Sequence, residues 1–115
     1  ERERMVENSA TMGGYLLDGL KELKEKHQII GDARGLGLMC ALEFVKDRET
    51  KAYFPPEAGL GAKLTEGFAA KGILLRGGDV MNMMPPLCIT RGEVDELLSV
   101  SDQVIGDTAR NLGTA

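Results

Sequence analysis

The sequence predicts an α+β fold: a small, mostly antiparallel three- to four-stranded sheet with helices packed on one face. Three observations predict it. Apolar residues recur at helical spacing at both ends of the chain. A stretch near the middle alternates with period two, and glycine and proline pairs cut the remainder into short elements. The order read is helix, strand or strands, helix, two strands, helix. With 115 residues, no internal repeat, no low-complexity tract and no linker, residues 1–115 read as one domain around one core.

Over residues 5–26 the apolar positions Val6, Met12 or Gly13, Leu16, Leu20 and Leu23 share one helical face. Glu22 stands four residues before Lys26, an acid-before-base pair that supports an exposed helix face. Gly13 and Gly14 each cost about 1 kcal/mol relative to alanine inside a helix. They therefore predict a close approach by another backbone, or a kink. His27 and Gln28 close this helix, Ile29-Ile30 begins an extended segment, and Gly31-Asp32 reads as a turn. Residues 34–45 read as one strand. Its apolar face carries Leu36, Leu38, Cys40, Leu42 and Phe44. The other face carries Gly35, Gly37, Met39, Ala41 and Glu43, small enough for a helix or a second domain to approach closely. Residues 46–51 are a charged loop or hairpin turn.

Pro55-Pro56-Glu57 predicts a helix start, with proline in the first turn and an acid near the positive end of the dipole. The helix runs through Leu60, Leu64 and Phe68 and stops at Lys71-Gly72, the glycine serving as its C-terminal cap. Residues 73–76 read as a short buried strand, Gly77-Gly78-Asp79 as a loop, and residues 80–84 as another strand. Pro85-Pro86 must end that pairing, because proline donates no ladder hydrogen bond. Thr90-Arg91-Gly92-Glu93 fits a capping box. Val94, Leu97, Leu98, Ser101, Val104, Ile105 and Leu112 form one face of a final helix.

Fourteen basic against eighteen acidic residues give a net charge of −4, which argues against a dedicated nucleic-acid or anionic-membrane surface. Two tyrosines, three phenylalanines and no tryptophan offer no base-stacking platform. No apolar run approaches a membrane span of roughly 20 residues, and no basic n-region followed by an apolar h-region is read in the opening residues. Cys40 and Cys88, far apart in apolar company, read as buried thiols of a reduced cytoplasmic protein. The opening Glu1-Arg2-Glu3-Arg4 is already helical in character and lacks an initiator methionine. It reads as a chain cut from something larger, or as one whose start methionine was removed.

The familiar catalytic constellations are missing. One histidine cannot build a multi-histidine metal site, and His27 reads as a solvated helix cap near the terminal carbonyls. Neither cysteine has a motif-level partner that would activate it. Gly31-Asp32-Ala33-Arg34-Gly35-Leu36-Gly37 precedes an alternating strand rather than a helix. It is therefore read as bend and packing glycines, not as a phosphate loop. Arg76 stands out, because it ends an apolar strand and is followed at once by Gly77-Gly78. A guanidinium on a rigid strand beside a mobile loop can clamp a carboxylate bidentately. The other reading is an ordinary strand-end arginine paired with Asp79 or Glu43. Arg34 has the same two options, with local backbone carbonyls as its ordinary partners. Met81, Met83 and Met84 with Pro85-Pro86 form an apolar cluster, either core or the wall of a pocket.

Gly31-Asp32-Ala33-Arg34-Gly35-Leu36-Gly37-Leu38-Met39 followed by Leu42-Glu43-Phe44-Val45 resembles a segment of class III pyridoxal-phosphate-dependent aminotransferases. Gly72-Ile73-Leu74-Leu75-Arg76, then Pro85-Pro86-Leu87-Cys88-Ile89-Thr90 and Glu93-Val94-Asp95, resembles that family's closing strand, loop and helix. The resemblance runs over residues 8–105 and implies the C-terminal small domain of such an enzyme, without its large cofactor-binding domain. In this family the Schiff-base lysine belongs to the large domain. None of Lys21, Lys24, Lys26, Lys46, Lys51, Lys63 and Lys71 matches its motif, so the chain alone is expected to bind no pyridoxal phosphate and to be catalytically silent.

The resemblance is greatest to the amine or omega-amino acid:pyruvate branch, where an arginine shortly before Pro-Pro binds the substrate carboxylate and can swing away. Arg76 is similar in placement, although the loop to Pro85 is slightly shorter than that pattern. Another branch places its carboxylate-binding arginine at the position that is Asn82 here. The implied partners are the large domain of the same parent chain, a homodimer mate, and small amine and keto acid substrates. The competing expectation is a stand-alone amino-acid-binding or regulatory α+β module, in which Arg76 would hold a free ligand's carboxylate without a cofactor.

Overall fold

A computed structural model describes residues 2–86 and 89–113. The described residues form three α-helices and a three-stranded antiparallel sheet: α1 (Arg2–Lys26), β1 (Ile30–Leu36), β2 (Met39–Phe44), α2 (Leu60–Ala70), β3 (Val80–Met83) and α3 (Arg91–Asn111). The sheet order is β1-β2-β3, with β2 in the centre and both neighbours antiparallel to it. The fold class is the one expected.

The core lies on one side of the sheet. Cys40, Leu42 and Phe44 of β2, with Met81 and Met83 of β3, meet Leu16 and Leu20 of α1, Leu64 and Phe68 of α2, and Val94 and Ile105 of α3. On the other side Arg34, Met39 and Asn82 are exposed, so the second face of the sheet is open. The glycines let the helices close over the core. A Cβ on Gly67 of α2 would lie 2.7 Å from a Val104 methyl group of α3. Thr90 accepts from the Glu93 amide while the Glu93 carboxylate accepts from the Thr90 amide, the capping box read from the sequence.

Several expectations need correction. Residues 34–45 are not one strand but most of a hairpin, with Leu36 paired to Met39 across a two-residue turn. Gly37 takes φ +57°, which a side chain would resist at the first turn position. Leu36, assigned to the apolar face, is therefore on the open side and 85% exposed, whereas Leu38, Cys40, Leu42 and Phe44 are buried as expected. Gly31-Asp32 is no turn, because it lies within β1 where the register shifts between Ile30 and Asp32. Proline does begin the next element, but only as a single 3-10 turn at Pro56–Ala58. Gly59 then takes a left-handed conformation and α2 starts at Leu60. Residues 73–76 form no strand. Ile73 and Leu75 are half-buried against the core, and Leu74 is 90% exposed.

His27 is also placed differently from expectation. Its side chain is only 10% exposed, and Nε2 lies 2.6 Å from the Asp102 carboxylate of α3, which also accepts from Lys26 at 2.7 Å. The carbonyls at the end of α1 are served instead by Arg48, which donates to Lys24, to His27 at 2.8 Å, and to Gln28 and Ile30 at 3.1 Å. Burial pushes the Asp102 carboxyl up, but the hydrogen bonds from Lys26 and His27 outweigh it and hold the group below its usual 3.8. A carboxyl that titrates lower in the folded chain stabilises it above the unfolded value and loses that contribution as pH falls through the folded one. The urea midpoint of the wild type should therefore fall more steeply below about pH 4 than that of Asp102→Asn. Parallel pH profiles for the two proteins would show that the triad contributes nothing.

Candidate functional site

Arg76 is carried by the segment that joins α2 to β3. Gly72, at φ +82°, turns the chain off the helix, and the Ile73 amide donates back to the Phe68 carbonyl at 2.9 Å. The chain then returns along α2. The Gly77 amide donates to Thr65 Oγ1 at 2.8 Å, and the Thr65 hydroxyl donates to the Gly61 carbonyl at 2.8 Å. A Cβ on Gly77 would stand 2.5 Å from the Gly61 oxygen and 2.6 Å from Leu64 Cβ, so only glycine fits against the helix here. Two residues further on, the Asp79 carbonyl accepts from the Phe44 amide at 2.8 Å at the entrance to β3. Gly77, expected in a mobile loop, is used for close packing instead.

The Arg76 side chain is exposed and makes no hydrogen bond or ion pair among the described residues. It pairs with neither Asp79 nor Glu43. Glu43 instead accepts from the Tyr53 hydroxyl at 2.5 Å and faces the Arg34 guanidinium at 3.7 Å. That hydrogen bond, followed by the nearby Glu43 charge, holds the Tyr53 phenol above its usual range. Arg34 also meets Asp32 at 3.0 Å, so carboxylates of its own sheet face already compensate its charge. Its expected carbonyl partners are not the ones it takes. Of the two arginines singled out in the sequence, Arg76 alone is unengaged among the described residues. Asn82 lies exposed on the open face of β3, opposite Ala41.

The methionine cluster divides. Met81 and Met83 belong to the core, whereas Met84 is 65% exposed and, with Met83, Pro85 and Pro86, lines a groove shared with Ile73, Leu74 and Leu75. Burial pushes the Cys40 thiol up, which leaves it a poor nucleophile. Cys88 and Leu87 lie outside the described residues. Thr65 and Arg48 escaped the sequence reading because each acts on backbone atoms that only the tertiary fold brings within reach.

Pyridoxal phosphate requires an amine that the protein encloses and tunes. Lys21, Lys26, Lys46, Lys51 and Lys71 are exposed, and Lys24 and Lys63 are half-exposed. None is buried, so the residues present do not by themselves fit that cofactor. No helix among the described residues is long and apolar enough to cross a membrane.

Comparison with known proteins places these features in a family. The model described as aminotransferase class-III matches residues 1–105. The taurine–pyruvate aminotransferase of Bilophila wadsworthia is 36% identical over an alignment 122 positions long, which takes in 98% of this chain and 26% of that protein. The structure of an (S)-enantioselective omega-transaminase from Thermomicrobium roseum superimposes with a TM-score of 0.88 at 42% identity, over 93% of this chain and 24% of that one. The omega transaminase of Pseudomonas jessenii in complex with PMP gives 0.90 at 32% identity, over 100% and 25%. The chain spans between 22% and 26% of the length of the curated relatives it matches. Together, the match along most of its length and the shared α+β architecture establish that this chain belongs to the class III aminotransferases.

Proposed function

We propose that the chain is the C-terminal small domain of an aminotransferase that moves an amino group between an amine or omega-amino acid and a keto acid such as pyruvate. Pyridoxal phosphate, held by a large domain outside residues 1–115, supplies the electron sink for that exchange. Arg76 receives the substrate carboxylate. The observation that carries this role is an exposed guanidinium without a partner among the described residues, on a segment braced at Gly77. A carboxylate can enter bidentately without displacing any ion pair seen there. Similarity to a taurine–pyruvate aminotransferase and to omega-transaminases supports the substrate class.

The large domain covers the open side of the sheet near Leu36 and Met39, 85% and 66% exposed, and the groove beside them lined by Val6, Ala10, Gly14 and Leu17. The parent forms a homodimer in the cytoplasm, where a buried unpaired thiol such as Cys40 stays reduced. The small domain alone is catalytically silent, since it offers no enclosed lysine.

The test uses the full-length protein that contains this chain, as wild type and Arg76→Ala, with each amino donor supplied alone. Formation of one equivalent of keto product isolates the donor, because pyruvate carries a carboxylate of its own. The variant should lose about 2 kcal/mol, roughly 30-fold, with a carboxylate-bearing donor and keep its rate with a simple hydrophobic amine. Unchanged rates, or equal loss with both donors, would remove Arg76 from carboxylate recognition. A wild-type protein with neither cofactor nor transaminase activity would remove the enzymatic reading altogether.

A further inference from the structure

We infer that Thr65 is a positioning residue for Arg76, and so a determinant of the preference for carboxylate-bearing substrates. The inference rests on the carboxylate role of Arg76 proposed above. The Arg76–Gly77 peptide is the last backbone unit before the chain turns towards β3, and its N–H is held at 2.8 Å by Thr65 Oγ1. The same hydroxyl gives its proton to the Gly61 carbonyl at 2.8 Å, so its acceptor lone pairs point at Gly77. One side chain thus couples the first turns of α2 to the residue that follows Arg76. The packing repeats that coupling, since a Cβ on Gly61 would lie 3.1 Å from the Gly77 oxygen.

The consequence is geometric. A guanidinium recognises a carboxylate well only when its planar fork is presented at a fixed distance and angle. The long Arg76 side chain is free, so the precision of that presentation depends on its Cα. Thr65 fixes the peptide adjoining this Cα, and the α2 helix behind it is anchored in the core through Leu64 and Phe68. Without the hydroxyl, the Gly77 amide exchanges its partner for water and the Arg76 backbone gains freedom. Recognition of the carboxylate then weakens, while a donor that makes no use of Arg76 is unaffected.

The experiment compares wild type, Thr65→Val, Thr65→Ser and Arg76→Ala in the full-length, cofactor-loaded protein, with each amino donor supplied alone. Thr65 is exposed, so Thr65→Val removes the hydroxyl at nearly constant shape and leaves the core intact. Thr65→Val should raise the apparent Kd of a carboxylate-bearing donor about fivefold, the weight of one net hydrogen bond. Its rate at saturation, and its reaction with a simple hydrophobic amine, should match wild type. Thr65→Ser should restore the affinity. Wild-type affinity in Thr65→Val, equal loss with both donor classes, or failure of serine to rescue would each overturn the positioning role. Discrimination lost in Arg76→Ala but not in Thr65→Val overturns that role alone. An Arg76→Ala protein with unaltered carboxylate affinity overturns both readings.

Discussion

Phe44→Ala should destabilise the chain by about 3–5 kcal/mol, the range for removing a buried aromatic side chain without refilling its space. Phe44 is 0% exposed at the end of the central strand, opposite Ile30, which is buried to the same degree. Its amide is bonded to the Asp79 carbonyl, so the backbone there cannot collapse inward without breaking the entrance to β3. The cavity would therefore persist. A domain of this size has about 5–15 kcal/mol of stability in all, so the variant should unfold at much lower urea than wild type. Phe44→Leu keeps most of the apolar volume and should lose well under half as much. Urea unfolding followed by circular dichroism reads both. A Phe44→Ala protein as stable as wild type would mean that β2 does not form the centre of the core.

Alanine at two adjacent glycines should act in opposite directions. A Cβ on Gly13 would overlap the carbonyl of Gly37 and lie 2.8 Å from its Cα, where α1 and the β1–β2 turn meet backbone to backbone. The obstacle is main chain held by a left-handed turn, so the helix and the hairpin must separate. Overpacking of this kind costs about 3 kcal/mol, offset by about 1 kcal/mol of helix propensity, for a net loss near 2 kcal/mol. Gly14 has nothing within 4 Å of its Cβ position. Gly14→Ala should gain about 1 kcal/mol in the same unfolding measurement, from propensity and a less flexible unfolded chain. The two variants should differ by about 3 kcal/mol. Equal midpoints would show that α1 does not approach the hairpin at Gly13.

The pair Gly13-Gly14 also shows what could be read in advance. Two glycines inside a helical period announce a close approach or a kink, and Gly13 provides the close approach. Helical spacing sets Met12 or Gly13 on the apolar face, but nothing local says that a hairpin turn is what meets it there. The helix faces and the Thr90–Glu93 box were legible because their signals are local and chemically specific. The hairpin was hidden because a two-residue turn leaves the alternation of apolar residues undisturbed on either side of Gly37. Residues 73–76 misled because an apolar run carries no information about whether a ladder partner exists. There the bonds go to α2 instead, through Ile73 and Gly77. His27 found its partner 75 residues away on α3, beyond any local pattern.

The candidate site was legible only as a residue. Arg76 beside two glycines drew attention, yet its pairing was a matter of tertiary structure. Arg34 takes carboxylates of its own sheet face, and Glu43 is occupied by Tyr53. Nothing in the sequence marked Thr65, an ordinary threonine on the surface of α2 whose importance arises only when Gly77 is folded back onto it.

The most direct measurement is a crystal structure of the full-length protein with a carboxylate-bearing substrate analogue bound. The expected result is the Arg76 guanidinium at about 2.7–2.9 Å from both carboxylate oxygens, with the Gly77 amide still on Thr65. A carboxylate held by other side chains, with Arg76 turned to solvent, would contradict the proposed role of this domain in substrate recognition.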